Sequence, residues 1–174
     1  MKCNRLVDVG RRQFLRGGVL GVAGAAASTV LPAGQAQAQQ ARAMLDYPSN
    51  KLANIADLKV NEPMDIGYPD ANSPGILLKL GTAVEGGAGP DGDIVAYSVL
   101  CPHKGYAMSY HAADKTLNCP GHHSRFDCES GGQQIWGHAT SNLAQFLLSV
   151  DGNGDIHANG IDELIYGRLS NVLA

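Results

Sequence analysis

Short apolar runs separated by glycine-rich turns set the pattern of this chain from residue 64 to residue 158. Met64, Ile66 and Tyr68 alternate with other residues, the period of a half-buried strand. Gly75-Ile76-Leu77-Leu78-Lys79-Leu80 is a compact apolar run closed by Gly81, and Ile94-Val95-Ala96-Tyr97-Ser98-Val99-Leu100 is a second. Phe146-Leu147-Leu148-Ser149-Val150 and Ile156-His157-Ala158 follow. Runs of this length, bounded by turn residues, predict strands. The turns are Gly86-Gly87-Ala88-Gly89-Pro90-Asp91-Gly92, Asp151-Gly152-Asn153-Gly154-Asp155 and Asn159-Gly160. Several short strands with such connections predict an antiparallel all-β fold. Residues 41–52 read as an irregular lead-in, and the tail from Asp162 to Leu173 fits either a short helix or a last strand.

Asp151, Asn153 and Asp155 imitate the start of a calcium loop. Such a loop needs glycine at its sixth position, where Ile156 stands, and no glutamate closes it. A hairpin turn is the expectation there.

Composition changes the picture mainly at the N-terminus. Gly10-Arg11-Arg12-Gln13-Phe14-Leu15-Arg16 is a twin-arginine export signature, followed by an uncharged Gly/Ala-rich run, Gly17 to Leu31, and by Ala36-Gln37-Ala38, which fits an A-x-A cleavage site. Residues 1–38 are therefore expected to be a signal peptide, and 39–174 an exported, periplasmic domain. The apolar run is short of the ~20 residues a membrane span needs. Membrane association is expected to be at most peripheral, or through an uncleaved signal. The whole chain carries a formal charge of −3, which gives nucleic-acid binding no support. From residue 39 onward, 8 basic side chains face 15 acidic ones, a net charge of −7. Such a surface fits the steering of a basic redox partner, and equally plain solubility.

The cysteines carry the chemistry. Cys3 lies in the signal, and Cys128 has no partner besides Cys101 and Cys119, so a structural disulfide is not expected. Cys101-Pro102-His103 and Cys119-Pro120-Gly121-His122 each supply one thiolate and one imidazole, in the pattern C-x-H-x15-C-x-x-H. Two Cys and two His can hold a tetrahedral zinc ion, or a [2Fe–2S] cluster with two thiolates on one iron and two imidazoles on the other. Structural zinc sites usually pair like ligands, as C-x2-C and H-x3-H. Here each run mixes the two types, which favours the iron cluster and an electron carrier. The prolines stiffen each run, and Gly105 and Gly121 would let backbone N–H groups approach the sulfurs. Ser124 could donate its hydroxyl to a cluster sulfide, or serve only the turn. His111 and His157 read as surface residues, and His123 as pointing away from the cluster. His138, in Trp136-Gly137-His138-Ala139-Thr140, reads as exposed, with an approach to the cluster as the alternative.

At these runs the chain resembles Rieske proteins. Within them it is similar to the small subunits of arsenite oxidases, through Tyr97-Ser98-Val99-Leu100-Cys101-Pro102-His103-Lys104-Gly105, Ser124-Arg125-Phe126-Asp127, Gly131-Gly132-Gln133-Gln134-Ile135-Trp136-Gly137 and Asp162-Glu163-Leu164-Ile165-Tyr166-Gly167-Arg168-Leu169. The resemblance implies an antiparallel β base with a small cluster-binding subdomain near residues 98–140. It implies Cys101, His103, Cys119 and His122 as ligands, with Ser124 beside them. It also implies a periplasmic heterodimer with a molybdopterin-containing large subunit that oxidises arsenite. Electrons would leave through a soluble cytochrome c or an azurin-like copper protein. Rieske subunits of quinol–cytochrome c oxidoreductases, the main alternative, carry a disulfide between the two ligand loops. The matching positions here are Tyr106 and Gly121. Those subunits also place a tyrosine hydroxyl on a ligand sulfur, where this chain has Phe126. The resemblance thus implies a midpoint potential below the quinol-oxidising range. A Rieske oxygenase needs a second, two-His-one-carboxylate iron domain, for which the chain is too short.

Overall fold

The computed structural model describes residues 47–168. The expected signal peptide, its cleavage site and the tail beyond residue 168 lie outside the described residues.

The two most apolar runs become the central strands. β3 (Pro74–Lys79) and β4 (Ile94–Ser98) pair antiparallel, and β2 (Met64–Gly67) pairs with the other edge of β3. Ile76, Leu77 and Leu78 are buried, and so is every residue of β4. These runs are continuous rather than alternating because both faces are covered. Leu77, Ile94 and Ala96 face one apolar cluster, with Phe146, Ile156 and Ala158. Ile76, Leu78, Val95 and Tyr97 face a second, shared with Cys101, Leu117, Cys119, Phe126 and Cys128.

The first cluster is closed by a three-stranded sheet of β1 (Asn50–Asn54), β10 (Asp155–Ile161) and β9 (Phe146–Val150). β1 replaces part of the expected irregular lead-in. Its sequence, Asn-Lys-Leu-Ala-Asn, has no apolar alternation, and backbone pairing with β10 holds it. The expected turn after β9 is a hairpin: Asp151 Oδ1 accepts the N–H groups of Asn153 (2.8 Å) and Asp155 (2.9 Å). Lys51 Nζ lies 2.7 Å from the Asp155 carboxylate. Up to Arg168 the tail forms neither helix nor strand, and Ile165 is buried within it.

The second cluster is closed by a four-stranded sheet in simple order: β5 (Ser109–His111), β6 (Thr116–Asn118), β7 (Arg125–Asp127) and β8 (Gln133–Trp136). With three or four residues each, these strands leave no usable period in the sequence. Tyr97 fastens this sheet to the base, its hydroxyl donating to the Cys128 carbonyl at 3.0 Å. All strand pairs in the three sheets are antiparallel, as expected.

Candidate metal centre

Two loops carry the four expected ligands. The first leaves β4 and brings Cys101 and His103; the second joins β6 to β7 and brings Cys119 and His122. Both close in the same way. Cys101 N–H donates to the Tyr106 carbonyl (2.9 Å), and Gly105 N–H returns to the Cys101 carbonyl (2.7 Å). Cys119 N–H donates to the Ser124 carbonyl (2.8 Å), and His123 N–H returns to the Cys119 carbonyl (3.1 Å). In each loop the residue four past the cysteine is left-handed, Gly105 at φ 70° and His123 at φ 59°.

The loops converge. Cys101 (0% exposed) and Cys119 (3%) are buried and share a side-chain hydrogen bond. The His103 and His122 rings meet at 4.6 Å, with His103 half-buried and His122 exposed. Cysteines lie inward and histidines outward. Burial pushes the Cys101 thiol up, and Cys119 adds to this. The backbone N–H groups of His103 and Lys104 hydrogen-bond to it and pull the other way. Burial, then the neighbouring His122, Lys104 and His138, hold His103 below the usual imidazole value. That favours the neutral ring, the form able to ligate a metal.

Comparison with known proteins decides between the two metals. The Rieske [2Fe-2S] domain profile matches residues 51–147. The chain is 39% identical over 164 residues to the iodate reductase subunit IdrB of Denitromonas iodatirespirans, covering 92% of this chain and 85% of that one. It is 40% identical over 160 residues to the IdrB of Pseudomonas sp. (strain SCT), covering 90% and 81%. The chain belongs to the Rieske [2Fe-2S] family. The soluble domain of the Rieske protein II (soxF) from Sulfolobus acidocaldarius has the same fold, with a TM-score of 0.63 at 23% identity over 71% of this chain and 83% of that one.

The cofactor of this Rieske protein is a [2Fe–2S] cluster. The residues present fit it. Two soft sulfur donors and two imidazoles face one another from paired loops. His103 Nδ1 is buried with no hydrogen-bond partner, a costly state for a polar atom unless it bonds to a metal. N–H groups already point at the Cys101 sulfur, an arrangement that tunes such clusters.

The structure sharpens the readings of Gly105 and His138 and corrects that of His157. The N–H groups that reach the Cys101 sulfur belong to His103 and Lys104, whereas that of Gly105 bonds a carbonyl. Gly105 and Gly121 supply space: a Cβ on Gly105 would lie 2.4 Å from the Tyr166 ring, and one on Gly121 2.7 Å from the Tyr106 ring. Tyr106 and Gly121, matched above to the disulfide positions, are thus in direct contact. His138 is exposed, yet it also belongs to the site: its ring stacks on His103 at 6.0 Å and meets His122 edge-on at 5.9 Å. Gly137 was the signal for this, since at φ 98° a Cβ there would strike the Ser124 backbone at 2.4 Å. Ser124 is fully buried, and its Oγ accepts the N–H groups of His138 (3.1 Å) and Ala139 (3.0 Å). Phe126 shares the buried cluster of Cys101 and Cys119. Cys128 is a core thiol pushed up to about 12, chiefly by burial. His111 is exposed beside Asp114 (2.9 Å), His123 is exposed, and His157 is half-buried rather than on the surface.

Proposed function

We propose that Cys101 and Cys119 hold one iron of the cluster and His103 and His122 the other. We propose further that the chain is the small electron-transfer subunit of a periplasmic molybdopterin oxidoreductase. When bound, the cluster supplies reversible one-electron storage. The observation that carries this reading is the inward-outward division of the ligands. The cysteine side is sealed in the core, and the two imidazoles come to the surface together. An electron leaving by the histidine edge therefore crosses little protein. Ser124 makes no donated hydrogen bond among the described residues, so its hydroxyl proton is available to a cluster sulfide. Such a bond favours the more negative, reduced state. His138, anchored by Ser124, borders the exit.

The resemblance outside the ligand runs supports an arsenite oxidase. Its catalytic centre would lie in a molybdopterin-containing large subunit, and the acceptor would be a cytochrome c or an azurin-like protein. The acidic surface fits a basic acceptor. The IdrB relatives, matched over nine-tenths of this chain, favour a second reading, in which electrons flow through this subunit toward iodate. A quinol-oxidising role has less support, because Tyr106 and Gly121 stand where the loop disulfide would be. Export would depend on Arg11 and Arg12.

One experiment separates these readings. The protein is purified from its host with whatever large subunit accompanies it, and the cluster is followed by electron paramagnetic resonance. Reduction by arsenite supports the oxidase. Reoxidation of a pre-reduced cluster by iodate, without response to arsenite, supports the reductase. Purification without any molybdenum subunit rejects both.

A further inference from the structure

Gly121 presents a steric puzzle. It is not among the left-handed glycines, so backbone conformation does not demand it. What demands it is the Tyr106 ring. A Cβ built on Gly121 would lie 2.7 Å from Cδ2, 2.9 Å from Cε2 and 3.1 Å from Cγ of that ring. Carbon atoms in contact sit at about 3.5–4.0 Å, so no side chain fits beneath it.

Tyr106 belongs to the first ligand loop, and its carbonyl closes that loop by accepting the Cys101 N–H. Its ring crosses to the second loop. There it lies against the Gly121 backbone and stands edge-on to His122, with centroids 6.1 Å apart at 82°. One face is thus engaged although the residue as a whole is 49% exposed. No disulfide joins the loops, since Cys101, Cys119 and Cys128 are all free thiols. His122 is exposed and would otherwise meet water on the side that Tyr106 occupies.

We propose that Tyr106 is a positioning residue that clamps the two ligand loops together through Gly121 and screens the outer edge of the His122 imidazole. The proposal rests on the ligand assignment above. The contact is made by ring carbons, so the hydroxyl is dispensable and a flat aromatic is required. A methyl group on Gly121 and the ring of Tyr106 compete for one space, so the two positions are coupled.

The test uses the full chain carrying its cluster. Each variant is exposed to a chelator, and the fading of the visible cluster absorbance is timed. Tyr106→Ala and Gly121→Ala should each lose the cluster roughly tenfold faster than the parent, the scale of one lost aromatic contact. Tyr106→Phe should match the parent. The double variant should lose it no faster than Tyr106→Ala alone, because the methyl group then has room. The reduced paramagnetic spectrum should also change in Tyr106→Ala and be restored in Tyr106→Phe. A parent-like lifetime in Tyr106→Ala, failure of phenylalanine to rescue, or additive loss in the double variant would overturn the clamp. Should one single variant fail to fold, the other together with Tyr106→Phe still decides. Failure of the ligand assignment looks different: Cys101→Ser would then keep a parent-like Rieske spectrum.

Discussion

The two ligand loops are built on one hydrogen-bonded plan and solve it with different residues. Each cysteine donates to the carbonyl five residues on and accepts from the N–H four residues on. The first loop puts glycine at the left-handed position and covers it with Tyr166. The second puts His123 there, leaves it exposed, and sinks the next residue, Ser124, into the core. The ligand histidine falls two residues after Cys101 but three after Cys119. The closing ring fixes where each sulfur goes. The spacing inside the ring, and the side chains packed on it, fix where each imidazole goes. Loop one is thus held from outside by the tail. Loop two is held from inside, through Ser124 and the β8–β9 loop.

That contrast can be broken at its strongest point first. Gly105→Ala adds both a left-handed alanine and a collision with Tyr166. It should cost about 3 kcal/mol of stability, read as a lower denaturant midpoint of the loaded protein. A cost no larger than the roughly 1–2 kcal/mol of a left-handed alanine alone would mean the tail does not brace loop one. Ser124→Ala strips the acceptor from two N–H groups and should cost about 2 kcal/mol. It should also lower the midpoint potential by removing the hydroxyl donor. An unchanged potential would confine Ser124 to a structural role. Phe126→Tyr, just after loop two, should raise the midpoint, and the parent should titrate below about +300 mV, the upper end for Rieske centres. A parent midpoint at that limit would contradict the match of Tyr106, Gly121 and Phe126 to the quinol-oxidising pattern. The smallest effect is expected of His123→Gly. It relieves a left-handed residue but adds chain entropy to the unfolded state, a net gain of about 1 kcal/mol or less. A loss of stability there would show that His123 packs more firmly than its exposure suggests.

Legibility in the sequence followed the length and chemistry of each signal. β3 and β4 were readable because Ile76–Leu78 and Ile94–Tyr97 are consecutive apolar residues, each run resuming after a single polar residue, and such runs bounded by turn residues have few other uses. β1 was not, because an edge strand held by backbone bonds needs no apolar alternation. The four strands of the small sheet were too short to show a period. Within the site, the ligand runs stood out because cysteine and histidine at those spacings are rare outside metal sites. The roles of Gly105, Gly121 and His138 did not. Each depends on a partner distant in the chain: Tyr166 for Gly105, Tyr106 for Gly121, and Ser124 for the loop that carries His138.

The sequence alone narrowed the cofactor to a zinc ion or a [2Fe–2S] cluster with the cluster favoured, named four candidate donor residues and set the antiparallel all-β class, because these rest on local chemistry and local periodicity. Tertiary structure alone decided that the cysteines go inward and the histidines outward. It also decided that His103 keeps a buried, unpartnered nitrogen, and that tyrosine rings rather than a covalent bond fill the space over the loop glycines. Those are properties of segments brought together by folding, and no local pattern encodes which distant ring will arrive over a given glycine.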